Sequence, residues 1–365
     1  MDDVLRTSSI RLLQVGEALG IRNLDPESGK IFVTGGVGVI GHRVALRLLR
    51  AGYPDVRLGA HHASSLEEEN KMGAEIADFA WDREETYESA LKGVKSVLCT
   101  VAYTKEWQKH FPVFLKACEK AQVRHFVKLS FYHARIAGDP FQEIPLVKAH
   151  GDCDELLIES LSPTIESFGH GDMDVAVDFA KPHMSYTILY ASHFMSNAFT
   201  MQGKELHNSA NLATFFGASG NRGVNYVSPN DIAEVAVRVL LEPRQYYNKE
   251  LTLTGPQAIT DQQVADLISK HLNKPVMYVD QPLREFKTEI CMSGDPEWMV
   301  QDLVCLEKIK ATGTEDSLSF VTHDVEKVCG HEAESFEDYL RETDYMTVVE
   351  RGAEPELKPL KPTVY

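Results

Sequence analysis

Gly35, Gly38 and Gly41 stand three residues apart, and Gly36, Gly38 and Gly41 also read G-x-G-x-x-G. The β-branched run Lys30-Ile31-Phe32-Val33-Thr34 precedes them, and Val44-Ala45-Leu46-Arg47-Leu48-Leu49 follows with helical spacing. Strand, glycine turn and helix in that order make a cradle for a pyrophosphate. The early glycine suits a tight turn at positive φ, the middle one lets backbone approach phosphate, and the last lets the helix lie close on the strand. The helix start adds free N–H groups and the positive end of its dipole. This implies a bound dinucleotide, held by Gly35, Gly36, Val37, Gly38, Val39, Ile40 and Gly41.

The ribose end can be read in the same way. Roughly 20 residues past the last glycine, an NAD-preferring fold places Asp or Glu on the adenosine ribose hydroxyls. Here the chain reads Leu58-Gly59-Ala60-His61-His62-Ala63-Ser64-Ser65, with no carboxylate. An acid there would repel a 2′-phosphate, whereas His61, His62, Ser64, Ser65 and Arg43 could donate to one. NADP(H) is favoured over NAD(H).

These residues need a rigid frame, and the pattern around them supplies one. Short strand-like runs at 56–58, 75–77, 96–101 and 125–129 alternate with helical stretches at 64–72, 83–91 and 108–121. Such alternation predicts an α/β fold, a doubly wound parallel sheet of the Rossmann kind with right-handed crossovers. Further runs at 186–189 and 250–253 extend the sheet, and a smaller α/β lobe follows. The expected organisation is a helical extension over 1–29, a dinucleotide-binding domain over 30–254, a substrate lobe over 255–345 and an extended tail over 346–365. An acidic insertion over 161–182 carries Glu166, Asp172, Asp174 and Asp178 against Lys181. It also holds His170, yet it reads as a solvated loop, and no metal is expected.

Composition excludes several classes. The 365 residues hold 37 Lys and Arg against 54 Asp and Glu, a net charge of −17 that works against nucleic acid or an anionic membrane as partner. No run approaches the 18 or so apolar residues of a membrane span. Six cysteines lie scattered without CxxC spacing, as in a reduced compartment. The start Met1-Asp2-Asp3 lacks a basic leader, so a cytoplasmic protein is expected. A protein partner or a homodimer stays open.

Several separated segments carry a family resemblance. Thr34 to Gly41, Arg124-His125-Phe126-Val127-Lys128-Leu129-Ser130, Tyr186-Thr187-Ile188-Leu189 with His193-Phe194-Met195-Ser196-Asn197, Val227 to Glu234, and Leu251 to Pro256 resemble the NmrA-like family of atypical short-chain dehydrogenases/reductases. The resemblance covers 30–340. It implies that Thr100, Val101, Ala102, Ser130, Phe131 and Tyr132 face the nicotinamide and that Asp78 and Phe79 flank adenine, with Trp81 and Asp82 as a competing register. Lys148 and His150 open a helix where relatives keep a functional lysine or, in quinone-reductase-like members, a histidine.

The chain also departs from its relatives. Ordinary short-chain dehydrogenases pair Tyr and Lys four residues apart for proton exchange, but Ile144 stands four before Lys148, and no tyrosine has such a lysine. Lys148, His150 and Tyr132, with His133 beside them, are the candidate proton donors. Tyr190-Ala191 replaces the relatives' Arg-Pro. Two functions follow from this: an NADPH-dependent oxidoreductase acting on a small carbonyl, enone or quinone, or a non-catalytic NADP(H) redox sensor that regulates a protein partner.

Overall fold

Central runs rich in Val, Ile, Leu and Phe become parallel strands, because strands covered by helices on both faces have no polar side to show, and more polar, exposed runs at 75–78 and 249–253 form the two edges. The computed structural model describes residues 13–22, 24–25, 28–101, 106–161, 184–200, 213–292 and 297–342. β1 (Lys30–Val33), β2 (Val56–Ala60), β3 (Glu75–Asp78), β4 (Val94–Cys99), β5 (His125–Phe131) and β6 (Ser185–Ala191) form the main sheet with β10 (Lys249–Leu253). Their order is β10-β6-β5-β4-β1-β2-β3, with every pairing parallel. The direction of winding reverses between β1 and β4, which opens a crevice at their carboxyl ends.

Helices α1 (residues 13–19), α2 (Val39–Arg50), α3 (Glu67–Lys71), α4 (Tyr87–Leu91), α5 (Trp107–Lys120), α6 (Pro145–Leu161), α7 (Asn197–Thr200) and α8 (Pro229–Leu241) accompany the strands. α2 and α8 cover one face, where Val44, Leu48, Ile232, Val235 and Val239 meet Ile31 and Val33. Val15 and Ile21 of the leading segment join that core. α4, α5 and α6 cover the other face over an aromatic cluster in which Phe79, Tyr87 and Phe114 lie 5.1–5.6 Å apart.

The smaller lobe has two short sheets. β7 (His193–Phe194), β9 (Val224–Val227) and β11 (Ala258–Ile259) form one, and β8 (Ala213–Gly217) pairs in parallel with β12 (Val276–Asp280). These sheets draw strands from both sides of residue 254, since an isolated strand leaves its backbone groups unpaired. The short pieces β7 and β8 carry too little alternation to be read as strands from sequence. The insertion, apart from Leu161 at the end of α6, and the tail lie outside the described residues. Among the described residues no helix is long and apolar enough to cross a membrane, and the six cysteines are unpaired, four of them buried.

Gly151 sits inside α6, where glycine alone costs about 1 kcal/mol relative to alanine. Contact explains it: a Cβ there would stand 2.0 Å from the Ala134 carbonyl oxygen. That approach seats α6 beneath the loop after β5. Gly151→Ala, stabilising on propensity alone, is therefore expected to destabilise by about 1–3 kcal/mol. A urea midpoint equal to or above that of the unaltered protein would refute this.

His125 opens β5 in the core, with Nε2 2.8 Å from the Thr187 hydroxyl. That hydroxyl gives its proton to the Tyr246 carbonyl at 2.6 Å, so it accepts from Nε2–H of a neutral ring. Burial holds the imidazole down at about 3. The unfolded chain, with an ordinary histidine near 6.5, binds more protons between those values. The associated stability is complete above about pH 6.5 and is lost as pH falls toward 3, at up to about 1.4 kcal/mol per unit. Denaturant titrations across that range should show this slope, reduced by about one proton in His125→Gln.

Candidate active site

α2 begins directly after Gly38, whose backbone is extended (φ −77°, ψ 163°). No side chain caps the helix and no acid occupies its first turn, so its leading amides and dipole face the crevice without a competing anion. Gly35, Gly36, Gly38 and Gly41 have no positive φ, contrary to the tight turn expected from sequence. Space is what demands Gly35, Gly36 and Gly41. A Cβ on Gly41 would lie 2.0 Å from the Gly35 carbonyl oxygen, one on Gly35 2.5 Å from the Thr100 hydroxyl, and one on Gly36 2.9 Å from Leu58 Cβ.

Thr34 ties the two central strands together at this level. Its hydroxyl donates to the Thr100 carbonyl at 2.7 Å and accepts from the Thr100 amide at 3.1 Å. The Thr100 hydroxyl is itself buried against the turn without a hydrogen-bond partner. An orphaned donor beside uncapped amides, in a cradle where no methyl would fit, matches the needs of a dinucleotide. Val101 follows, half-buried against the aromatic core, and Ala102 lies outside the described residues.

β2 and β3 finish side by side with Ala60 opposite Asp78. His61 and His62 follow β2 and are exposed. Asp78 takes a two-pronged bond from Arg83 at 2.6 and 3.0 Å, and this pairing lowers the carboxyl below its usual range. Arg83 was not among the residues singled out from sequence. It adds a guanidinium beside the two histidines. Arg43 does the reverse: it is 2 % exposed, with Nε on Asn230 and one terminal nitrogen on the Val39 carbonyl, so it locks α2 to α8 and does not reach a phosphate. Phe79 is likewise core, wedged between Phe32 and Tyr87. In the competing register, Trp81 packs on Trp107 and Phe114, and Asp82 is exposed.

The end of β5 rests on an enclosed polar network. Ser130 Oγ donates to Asp154 at 2.5 Å, Lys128 pairs with the other Asp154 oxygen at 2.6 Å, and neither charged side chain reaches solvent. Burial raises the Asp154 carboxyl above its usual range, opposed by Lys128. Lys128 also lies 3.3 Å from His150 Nδ1 and 5.6 Å from the centre of the Trp107 ring. Burial and the Lys128 charge hold His150 far below its ordinary value, so the ring is neutral. Accepting at Nδ1, it carries its proton on Nε2.

The other expected donors are turned away. Lys148 lies on the outer face of α6, 58 % exposed and 2.7 Å from Asp152 one turn on, so it does not join His150. The Tyr132 hydroxyl donates to the Ser317 carbonyl at 3.1 Å while its ring stacks 4.6 Å from Phe320, and burial raises its pKa. It fastens the smaller lobe. His133, at φ 60°, stands against Asp139, with its pKa lowered by burial. Tyr190, in the place of the relatives' arginine, is met by Arg135, which pairs with Glu250 at 2.9 Å. Elsewhere Glu234, Cys329 and His331 converge, but Arg47 and Arg238 already engage that carboxylate.

Sequence reading missed Lys128, Asp154 and Arg83. A lone lysine inside the apolar strand His125-Phe126-Val127-Lys128-Leu129 was the available signal, since an enclosed charge needs a partner. If the glycine contacts form the cradle, Gly41→Ala should weaken nicotinamide dinucleotide binding at least about tenfold, or about 1.4 kcal/mol. Calorimetry on the folded variant checks this; wild-type affinity would sink it.

Comparison with known proteins agrees with this geometry. The NAD(P)H-binding family profile matches residues 35–243, and that of the NmrA-like family matches 178–350. Prestalk A differentiation protein A of Dictyostelium discoideum is 25 % identical over 88 % of this chain and 94 % of its own. An NAD(P)H azoreductase of Xenophilus azovorans is 25 % identical over 85 % and 96 %. Among solved structures, an Escherichia coli NADPH-dependent quinone oxidoreductase complexed with NADPH shares the fold at a TM-score of 0.68 and 20 % identity, covering 85 % of this chain and 98 % of that one. A Citrobacter triphenylmethane reductase complexed with NADP(H) does so at 0.66 and 19 %, covering 86 % and 99 %. With its cradle, its strand order and these matched segments, the chain belongs to the NAD(P)H-binding, NmrA-like family of atypical short-chain dehydrogenases/reductases.

Proposed function

We propose that this chain is an NADPH-dependent oxidoreductase that reduces a small carbonyl, enone or quinone substrate without a Tyr-x-x-x-Lys pair. The observation carrying the reading is the joining of two features at one set of strand ends. An uncapped glycine cradle opens at β1, and a neutral imidazole sits over an enclosed Lys–Asp pair at β5. The azoreductase and quinone oxidoreductase relatives support the same reaction class.

When bound, the reduced nicotinamide supplies hydride. Amides of Val37, Val39, Ile40 and Gly41 take the pyrophosphate, since those of Gly36 and Gly38 are spent on the Gly59 and Gly35 carbonyls, and the Thr100 hydroxyl turns toward it. His61, His62 and Arg83 take the 2′-phosphate; Asp78 occupies two of the five guanidinium donors and leaves the rest. Val101, Ser130 and Phe131 border the nicotinamide. His150 Nε2–H points its proton at a substrate oxygen, and as negative charge grows there the bond strengthens. Lys128 keeps that tautomer by donating to Nδ1, and Asp154 balances the lysine. A redox sensor without turnover has less support, because it would need no donor of this kind.

With quinones, enones and ketones as acceptors, the protein should oxidise NADPH with kcat/KM at least about tenfold above NADH, a difference of about 1.4 kcal/mol. Arg83→Ala should close most of that gap by raising KM for NADPH alone. Cofactor binding with no turnover across the panel would overturn the enzymatic reading, and equal use of both cofactors would overturn the preference.

A further inference from the structure

Past the end of β6 the chain enters the smaller lobe through His193. This ring is 5 % exposed and lies edge-on to Phe131, 5.9 Å away at the end of β5. One hydrogen bond ties it to the Asn225 carbonyl, while Nε2 is buried with no partner. Burial and the nearby Lys310 charge hold the imidazole down at about 3, so it is neutral. A ring that gives its one proton to a carbonyl presents its other nitrogen as an acceptor.

Lys310, 2 % exposed, comes from α12 (Glu297–Thr312), which follows α9 (Pro243–Tyr246), α10 (Asp261–Leu272) and α11 (Leu283–Met292). Its ammonium lies 2.7 Å from Glu307 Oε1, and the second Glu307 oxygen accepts from the Ala218 amide at 2.8 Å. The carboxylate takes one of three ammonium protons. His193 and Lys310 border the same open-mouthed depression, and Phe286, Ile290 and Leu306 form apolar wall. Lys310 is paired with Glu307 and lies 5.9 Å from the centre of the Tyr226 ring, yet keeps ammonium protons to give, while the enclosed His193 acceptor is costly until a donor reaches it.

A hydroxyl does so. It has one proton to give and two lone pairs to receive with. We propose that this recess is a subsite for a ring-borne hydroxyl group, which donates to His193 Nε2 and accepts from Lys310 Nζ. The ring lies against the Phe286, Ile290 and Leu306 wall, and the reducible end is directed past Phe131 toward the nicotinamide. Calling the ligand a substrate rests on the oxidoreductase reading above; the recess itself does not. The enzyme then selects hydroxylated ring enones over their unsubstituted counterparts.

Calorimetry on the protein saturated with NADP+ tests this, using para-hydroxybenzalacetone, its methyl ether and benzalacetone at neutral pH. The hydroxyl compound should bind at least about tenfold more tightly than either other compound. His193→Leu should abolish that preference with NADP+ affinity unchanged, and His193→Gln, which retains an acceptor, should restore much of it. Lys310→Met paired with Glu307→Gln, which leaves no lone buried charge, should also abolish it. Equal affinities in the unaltered protein, no binding of any of the three, or a preference that survives in His193→Leu would overturn the subsite. Hydroxyl preference without turnover of any acceptor would leave the subsite standing and remove the reductase reading; turnover without preference would do the opposite.

Discussion

The distance between α2 and the turn before it sets the rest of the molecule. Gly41 approaches the Gly35 carbonyl so closely that no methyl could stand between them. This contact lays the helix start over the crevice between β1 and β4, and the Thr34 hydroxyl holds those strand ends level. Backbone amides can serve as an anion site only if nothing covers them, and the missing cap and missing acid keep them open. Arg43 adds to the same constraint from behind, because its bonds to Asn230 and the Val39 carbonyl fasten α2 to α8.

Two enclosed ion pairs lie elsewhere in the protein. Lys128 with Asp154 lies beneath the end of β5, and Lys310 with Glu307 lies in the smaller lobe. A buried pair is seldom a strong source of stability, since desolvation opposes attraction. Each has a neighbouring neutral histidine instead. Lys128 donates to His150, and Lys310 helps to keep His193 unprotonated. At His150 the lysine sets which ring nitrogen donates; at His193 the Asn225 carbonyl does so while Lys310 keeps the ring neutral, and proton-dependent chemistry turns on that choice.

Charge at the ends of β2 and β3 shows why residue type alone misleads. Arg43 follows the glycine turn closely in sequence, yet its position on α2 points it into the α2–α8 contact. Arg83 is more than 40 residues past that turn, yet β2 and β3 pair in register and bring it beside His61 and His62. Lys148 and His150 differ by two positions on α6, about 200° of helical rotation. One therefore meets solvent and Asp152, and the other Lys128 and Trp107.

Local chemistry was enough to determine the glycine turn between strand and helix, the strand–helix alternation and the parallel sheet. Each depends on residues within one turn or one strand, where sterics and periodicity act directly. Only the tertiary structure decided what the glycines are for, because their contacts reach Leu58 on β2 and Thr100 just past β4. It also decided that Tyr132 fastens the smaller lobe through Ser317 and Phe320, that Phe79 belongs to the core, and that β7 and β8 have partners. Enclosed charges follow the same rule. A lysine in an apolar strand announces that it needs an anion, but which carboxylate answers depends on how helices pack across the sheet, and the spacing of residues along the chain does not encode that.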